Sequence, residues 1–226
     1  MSRLILILLA LGLALWCLQT LRAVLVAAPA RKAARAGYFA ASVSLMKDLR
    51  QQIQPTGFAR MAGRYRDLSF DLQALPDTLT FRKLPALWVM VTVTEPQPLS
   101  GETHIMSRAT GQESFSTYAQ MPVAVTLPQG FPPNCTLRCT DPAALPAAEI
   151  LSKIAQLFAD PTVKEAVLSP KGLRLVILAE EAERTAYLLF RDAELGRAPL
   201  PTQRLQALLE TLADLHFAHD PMKASA

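Results

Sequence analysis

Apolar residues fill the beginning of the chain, where Gln19 and Thr20 are the only polar interruption between Leu4 and Leu21. The run from Leu4 to Leu21 contains no charged residue, and after Arg22 it resumes as Ala23 to Ala28. At 1.5 Å per residue the first run makes a helix of roughly 27 Å, close to the roughly 30 Å hydrocarbon thickness of a bilayer. The pattern predicts a single transmembrane anchor within residues 1–29, with the lipid bilayer as its first partner.

A cleaved secretory signal is the alternative interpretation of this segment. Arg3 supplies a short basic n-region, and Ala28-Pro29-Ala30 resembles a small-residue cleavage site. The apolar region of a signal peptide normally spans only about 7 to 15 residues, so the length of this run favours an uncleaved signal anchor.

Residues 30–54 have the spacing of an amphipathic helix. Apolar side chains recur every three or four positions, at Phe39, Val43, Met46, Leu49 and Ile53. Such residues form one stripe along a helix, which Pro55 and Gly57 then end. We expect this juxtamembrane helix to pack on the domain or on the membrane surface, with self-association through residues 38–53 as the alternative.

Alternation with a period of two replaces the helical spacing from about residue 64 to 140, as half-buried strands require. Residues 68–72 and 79–81 alternate apolar with polar side chains, and the nearly apolar segment 87–93 predicts a central strand. Further strands are predicted at 104–108, at 121–127, where Pro122 requires an edge or a bulge, and at 135–140.

Helices and strands mix in the last third of the chain. An apolar face from Ile150 to Phe158 predicts one helix, and a second begins at Pro201-Thr202 and carries leucines as far as Leu215. Between them lie three predicted strands, at 163–168, 173–179 and 187–191. The whole predicts an α+β fold: a single N-terminal transmembrane helix, then one domain (55–220) with an antiparallel sheet covered by two or three helices, and a flexible tail (221–226).

The charge distribution separates the anchor from the domain. The chain has 23 basic and 19 acidic residues, a net charge of +4. Residues 1–36 contain five basic residues and no acidic one, so the rest holds 18 basic and 19 acidic residues and has a net charge of −1. Nucleic-acid binding requires a concentrated basic face, and a domain with this balance gives no sign of one.

The basic residues near the anchor form a collar of Arg22, Arg31, Lys32 and Arg35. Because Lys and Arg beside a membrane span tend to stay in the cytoplasm, the collar favours a cytoplasmic C-terminal domain over a periplasmic or extracellular one. The collar either serves only as this topology signal or also binds anionic lipid headgroups.

Cysteine and histidine give little indication of a metal site. Cys17 lies in the predicted span, and Cys135 and Cys139 would be roughly 13 Å apart on a strand, too far for a disulfide, although a tight loop would bring them together. We expect reduced thiols. His216 and His219 have a spacing that suits a shared metal ion, but they lie near the end of the last helix, where a role at the helix terminus is expected instead. We predict neither a metal nor a cofactor.

One loop gathers the residue types of a hydrolase. His104, Arg108, Glu113, Ser114 and Ser116 surround a predicted turn at Thr110-Gly111, and a Ser, a His and an acid in one neighbourhood suit nucleophilic catalysis. Their order matches no nucleophile elbow, and the chain lacks the phosphate-binding, dinucleotide and zinc-protease motifs. An ordinary hydrogen-bonded turn is the expectation, and no residue is assigned as catalytic.

Scattered basic residues offer a further site if the fold brings them together. They are Arg82, Lys83, Arg138, Lys171, Arg174 and Arg191. Their convergence would create an anion-binding face, whereas cross-strand pairing of Arg174 and Arg191 with Glu180, Glu183 or Asp192 is the simpler expectation.

These observations favour a membrane-anchored domain that binds another protein at the cytoplasmic face, through sheet edges or through the 30–54 helix. Two alternatives remain: an exported envelope domain, and a membrane-tethered hydrolase-like enzyme that uses the loop from His104 to Ser116.

Overall fold

The computed structural model of the protein describes residues 2–78, 84–190 and 193–219. In this part of the chain the helices and strands are α1 (Ser2–Ala36), β1 (Lys47–Ile53), β2 (Ala59–Tyr65), β3 (Leu68–Asp77), β4 (Ala86–Val93), β5 (Thr103–Ser107), β6 (Val123–Val125), β7 (Cys135–Cys139), α2 (Ala148–Leu157), β8 (Val163–Ser169), β9 (Gly172–Glu181), α3 (Arg184–Phe190) and α4 (Thr202–His219). Short 3-10 helices occur at Ala40–Leu45, Tyr118–Gln120 and Pro142–Ala144.

All the described strands belong to one antiparallel sheet in the order β1-β2-β3-β4-β9-β8-β5-β7-β6. Helix α4 packs on the central strands β4 and β9, and α2 lies beside α4. The alternation in β4 explains this arrangement, because Val89, Val91 and Val93 are buried in the large core beneath the helices. The predicted α+β class with an antiparallel sheet is therefore confirmed.

Helix α1 is 35 residues long, which corresponds to roughly 52 Å. It contains the only described stretch whose length and composition suit a membrane crossing, with a mean hydropathy of 2.4 over its most apolar window. Its large side chains, such as Leu9 and Trp16, are exposed rather than packed on the domain. One helix near the N-terminus is thus long and apolar enough to span a bilayer.

Two residues of the basic collar, Arg31 and Arg35, connect the last turns of α1 to the domain. Arg31 lies 3.8 Å from Glu194, and Arg35 Nε donates to the carbonyl of Leu195 at 3.4 Å. The guanidinium of Arg35 also lies 5.6 Å from the centre of the Phe58 ring. Arg22 and Lys32, by contrast, are exposed. The collar therefore contains two different kinds of residue, since two members contact protein and two face outward.

The prediction of a helix over residues 30–54 is wrong. Helix α1 itself continues to Ala36, a 3-10 turn follows, and Lys47–Ile53 is the edge strand β1. Phe39 and Met46 are buried in the core, but Val43 is exposed, so the predicted stripe does not form one face. Pairing of β1 with β2 along the chain backbone overrides a helical spacing that covers only about two heptads. Self-association through a helix at 38–53 loses its structural basis.

Residues 187–191 were expected to form a strand, and this is also wrong, because the described part of that segment lies in helix α3 (Arg184–Phe190). The backbone N–H of Thr185 donates to Oε1 of Glu183 at 2.8 Å, at the start of this helix. The strands predicted near 68–72, 87–93, 104–108, 135–140, 163–168 and 173–179 are present, and so are both helices. Residues 79–81 and 221–226 lie outside the described residues.

Candidate functional site

The face of the sheet that the helices leave uncovered is polar at its centre. The strand register joins seven residues in one row across the sheet: Arg50, Ala62, Asp71, Thr92, Arg174, Val167 and His104. Residues directly opposite one another in antiparallel strands point to the same side. Three members of this row carry ionisable side chains from β1 to β9, His104 adds a fourth on β5, and the register continues to Arg138 on β7. The candidate site lies along this row of residues.

A loop over residues 108–122, here called the flap, covers one end of the uncovered face. It starts with Arg108 in the left-handed conformation, at φ 49°. Phe115 and Tyr118 pack with Met90, Met106 and Val176 in a second small hydrophobic cluster. Because this cluster is separate from the large core, the flap is held to the sheet by its own contacts rather than by the helices.

His104 stands between two carboxylates under the flap. Its Nδ1 atom lies 2.8 Å from Oε1 of Glu165, and its Nε2 atom lies 2.6 Å from Oε1 of Glu102. Ser116 on the flap donates its hydroxyl to the same Oε1 atom of Glu165. Glu165 is fully buried, and its Oε2 atom accepts no hydrogen bond from the described residues. The flap is therefore joined to the sheet through Glu165.

The geometry defines the protonation of His104. A carboxylate only accepts hydrogen bonds, and a neutral imidazole donates from one nitrogen only, so the imidazolium satisfies both contacts. Burial lowers the pKa of His104, but the hydrogen bond and charge of Glu165, and then those of Glu102, outweigh it and raise the pKa above its usual 6.5.

A second buried contact joins the flap to β8. Lys164 Nζ lies 3.0 Å from Oε1 of Glu113, and both side chains are almost inaccessible. The same ammonium group donates to the carbonyls of Ser107, at 3.0 Å, and Arg108, at 2.9 Å. The register between β8 and β9 skips Lys164, and such a bulge lets Lys164 and Glu165 face the same side of the sheet.

The structure brings together part of the predicted polar loop. His104 and Ser116 meet at Glu165, and Glu113 pairs with Lys164. Arg108 instead donates to the carbonyl of Pro161 at 2.8 Å, and Ser114 is exposed. Ser116 bonds to a carboxylate and not to the imidazole, so the Ser-His-acid sequence of a hydrolase is not formed among these residues.

A continuous depression, here called the sheet groove, runs from the flap toward β1. Its flap end is a cavity of about 330 Å³ whose lining includes Glu102, His104, Ser116, Glu165, Lys171 and Arg174. Its wider end is a cavity of about 680 Å³ whose lining includes Asp48, Arg50, Arg60, Arg64, Asp71 and Arg174. Thr92, Thr94 and Arg174 line both cavities and mark where they join.

The predicted anion-binding set converges only in part. Arg174 and Lys171 line the flap end of the sheet groove, whereas Arg138 lies 5.8 Å from the Tyr118 ring and donates to the carbonyl of Ala119. Arg82, Lys83 and Arg191 lie outside the described residues. The expected pairing of Arg174 with Glu180 or Glu183 is also wrong, because Arg174 Nε donates to Thr92 Oγ1 at 3.1 Å.

The cysteines and the last described histidines have structural surroundings. Cys135 and Cys139 are free and buried on β7, and burial raises the pKa of each thiol. His216 lies in the last turn of α4, near the predicted helix terminus, but it is fully buried there and its ring contacts the side chain of Gln97. Among the described residues, no three His, Cys, Asp or Glu side chains are grouped to hold a metal ion.

Sequence reasoning missed Glu102, Lys164 and Glu165. The available signal was the adjacent Lys and Glu inside a strand that otherwise reads as buried, since charges are rarely buried unless they are paired. Comparison with protein-family models, with curated proteins and with solved structures found no match.

Proposed function

We propose that the chain is a single-pass membrane protein whose C-terminal domain is a non-enzymatic binding module for another protein at the cytoplasmic face. The sheet groove is the binding surface in this proposal. The observation that carries it is the uneven covering of the sheet, because one face supports the helices and the large core while the other presents a polar groove that reaches from the flap toward the β1 edge.

The face of the sheet suits a partner better than its β1 edge does. The pairing of β1 with β2 is irregular between Lys47 and Arg50, and Asp48 has a φ of 51°. A bulge and charged residues on an edge strand are the usual features that prevent a further strand from pairing there. We therefore propose the sheet groove as the contact surface, in place of the sheet edges and the 30–54 helix that the sequence suggests.

The anchor is supported by the exposed apolar surface of α1 and by the charges that follow it. Arg22 and Lys32 face outward on the C-terminal side of the span, where basic residues favour a cytoplasmic location. Their exposure also leaves them available to anionic headgroups, whereas Arg31 and Arg35 are engaged with the domain.

The anchor is tested by weakening α1 in the full-length chain. Replacing both Leu11 and Leu15 by Arg adds about 3 to 4 kcal/mol to the cost of inserting each position at the centre of a span. We expect the wild-type protein to remain in carbonate-washed membranes and the double variant to move largely to the soluble fraction. Equal partitioning of the wild-type and variant proteins, or a mature N-terminus near residue 31, contradicts the anchor. In a separate experiment, a reporter fused after Ala226 shows on which side of the membrane the domain lies.

The partner is tested by photocrosslinking in native membranes. A photoreactive amino acid at Thr94, which is exposed and lines the groove, is compared with one at Glu149, which is exposed on α2. We expect a discrete crosslinked product from position 94 that position 149 does not give. The same products from both positions, or none from position 94, contradict the groove as a protein-binding surface.

A further inference from the structure

Arg174 lies at the junction of the two cavities with most of its donors unused. Its side chain is half-buried, and only Nε has a partner among the described residues, namely Thr92 Oγ1 at 3.1 Å. Its neighbours in the cross-strand row are Thr92 and Val167, which carry no charge. A guanidinium has five N–H donors in a planar fork that matches a carboxylate or a phosphate. Arg174 thus presents a guanidinium fork that suits an anion to the groove.

The acidic residues of the wider cavity do not neutralise it. Asp71 is committed to Arg60, whose Nε lies 2.7 Å from Asp71 Oδ1. Arg64 lies 3.6 Å from Asp67, which leaves Arg50 and Arg174 as the two arginines of that lining without an ion pair among the described residues, against the single carboxylate of Asp48. Arg50 is exposed and forms no ion pair with a described residue. The wider part of the groove therefore has an excess of positive charge, and a complementary ligand is anionic.

The positions of the two arginines indicate an extended ligand. Arg50 and Arg174 occupy the same row four strand spacings apart, which corresponds to roughly 19 Å. An extended peptide rises about 3.3 Å per residue, so about six residues cover this distance. The hydroxyl groups of Ser69, Thr92 and Thr94 line the intervening groove and supply further hydrogen bonds.

We infer that the sheet groove binds an extended acidic segment of the partner protein, with one of its carboxylates on the Arg174 fork and another near Arg50. This inference rests on the proposed function and names the chemistry of its partner. At the opposite, flap end the carboxylates of Glu102 and Glu165 are balanced by the imidazolium of His104 and by Lys171, so the excess of positive charge lies in the wider part of the groove. The acidic residues of the ligand are consequently placed between Arg174 and β1.

The inference is tested with the full-length protein in phosphatidylcholine nanodiscs at low ionic strength. The probe is a fluorescent peptide that alternates glutamate and alanine, and its counterpart carries glutamine in place of glutamate. We expect the acidic peptide to bind and the glutamine peptide to bind at least about tenfold more weakly, because hydrogen bonds to charged groups are about twice as strong as neutral ones. Equal binding of the two peptides overturns the inference.

Charge variants then locate the site. Arg174→Gln is expected to weaken binding of the acidic peptide by about tenfold or more, and Arg50→Gln by a few-fold because that side chain is exposed. Arg174→Lys keeps the charge but loses the fork, so we expect an intermediate affinity. Lys153→Gln removes one exposed charge from α2 and is expected to change affinity by less than about twofold. Equal losses in Arg174→Gln and Lys153→Gln overturn the inference.

Two outcomes separate this inference from the function on which it rests. If crosslinking from position 94 succeeds while the acidic peptide does not bind, the groove still binds a protein but not through an acidic segment. If the peptide binds through Arg174 and no crosslinked product appears, the anion site stands and the protein partner is rejected. Two competition experiments test the choice of a peptide as the ligand. If phosphatidylserine in the nanodiscs abolishes binding of the acidic peptide, the ligand is a lipid headgroup, and if inorganic phosphate abolishes it, the ligand is a free anion; either result overturns the inference.

Discussion

Replacing Lys164 by alanine is expected to lower the free energy of unfolding by about 3 to 5 kcal/mol. The substitution removes an ammonium group that lies 3.0 Å from Glu113 and donates to two backbone carbonyls. The carboxylate of Glu113 then remains buried without its cation, and a buried unpaired charge is far more costly than an exposed one. Urea denaturation of the wild-type and variant proteins measures the loss.

A double variant distinguishes the unpaired charge from damaged packing. Combining Lys164→Met with Glu113→Gln removes both charges and keeps similar volumes, so we expect it to recover most of the stability that Lys164→Ala loses. Lys153→Ala breaks an exposed pair with Glu149 and is expected to cost less than about 0.5 kcal/mol. A double variant as unstable as Lys164→Ala contradicts the pairing argument.

The elements that could be predicted from the sequence are those whose apolar residues record which of their faces are buried. Strand β4 is apolar along nearly its whole length because both faces are covered: its valines enter the large core, and Met90 joins the cluster beneath the flap. Helix α4 buries Leu205, Leu208, Leu209 and Leu212 at helical spacing. In each case the spacing of apolar residues follows directly from which side faces the core.

The edge of the sheet could not be predicted in the same way. Strand β1 is exposed along nearly all of its length, so it lacks an apolar face that would record a period of two. Its conformation comes from backbone pairing with residues 59–64 of β2. This pairing does not depend on the pattern of side chains in β1. The weak helical spacing of residues 39–53 was therefore the only local signal, and it was misleading.

The candidate site could be predicted only where its residues are close in the sequence. The segment from His104 to Ser116 was recognisable as a polar cluster, but its meaning depends on Glu165, which the pairing of β5 with β8 brings beside it. The bulge at Lys164 is likewise a property of strand register. In the structure Ser116 and His104 are two partners of one buried carboxylate, a relation that the expectation of an ordinary hydrogen-bonded turn does not include.

Glu165→Leu is expected to lower the free energy of unfolding by about 3 kcal/mol or more, because it leaves donors of His104 and Ser116 buried without their acceptor. Glu165→Gln preserves the shape and one acceptor oxygen, so we expect a smaller loss. It also removes the carboxylate charge that contributes to raising the pKa of His104. The two variants therefore separate the hydrogen bonds of Glu165 from its charge.

The dependence of stability on pH provides the sharper measurement. Because the pKa of His104 is raised on folding, the folded state binds the imidazolium proton more tightly than the unfolded state does. This stabilisation is fully present below the usual pKa of 6.5 and is lost as the pH rises through the higher pKa of the folded protein. In Glu165→Gln we expect the loss to occur at lower pH, and in His104→Gln we expect this contribution to be absent.

The measurement is the free energy of unfolding at a series of pH values from about pH 6 upward. Histidine is the side chain whose ordinary pKa lies nearest the start of this range, so a change in stability there reports on histidine. Identical pH profiles in the wild type and both variants would mean that His104 is not held as an imidazolium between the two carboxylates.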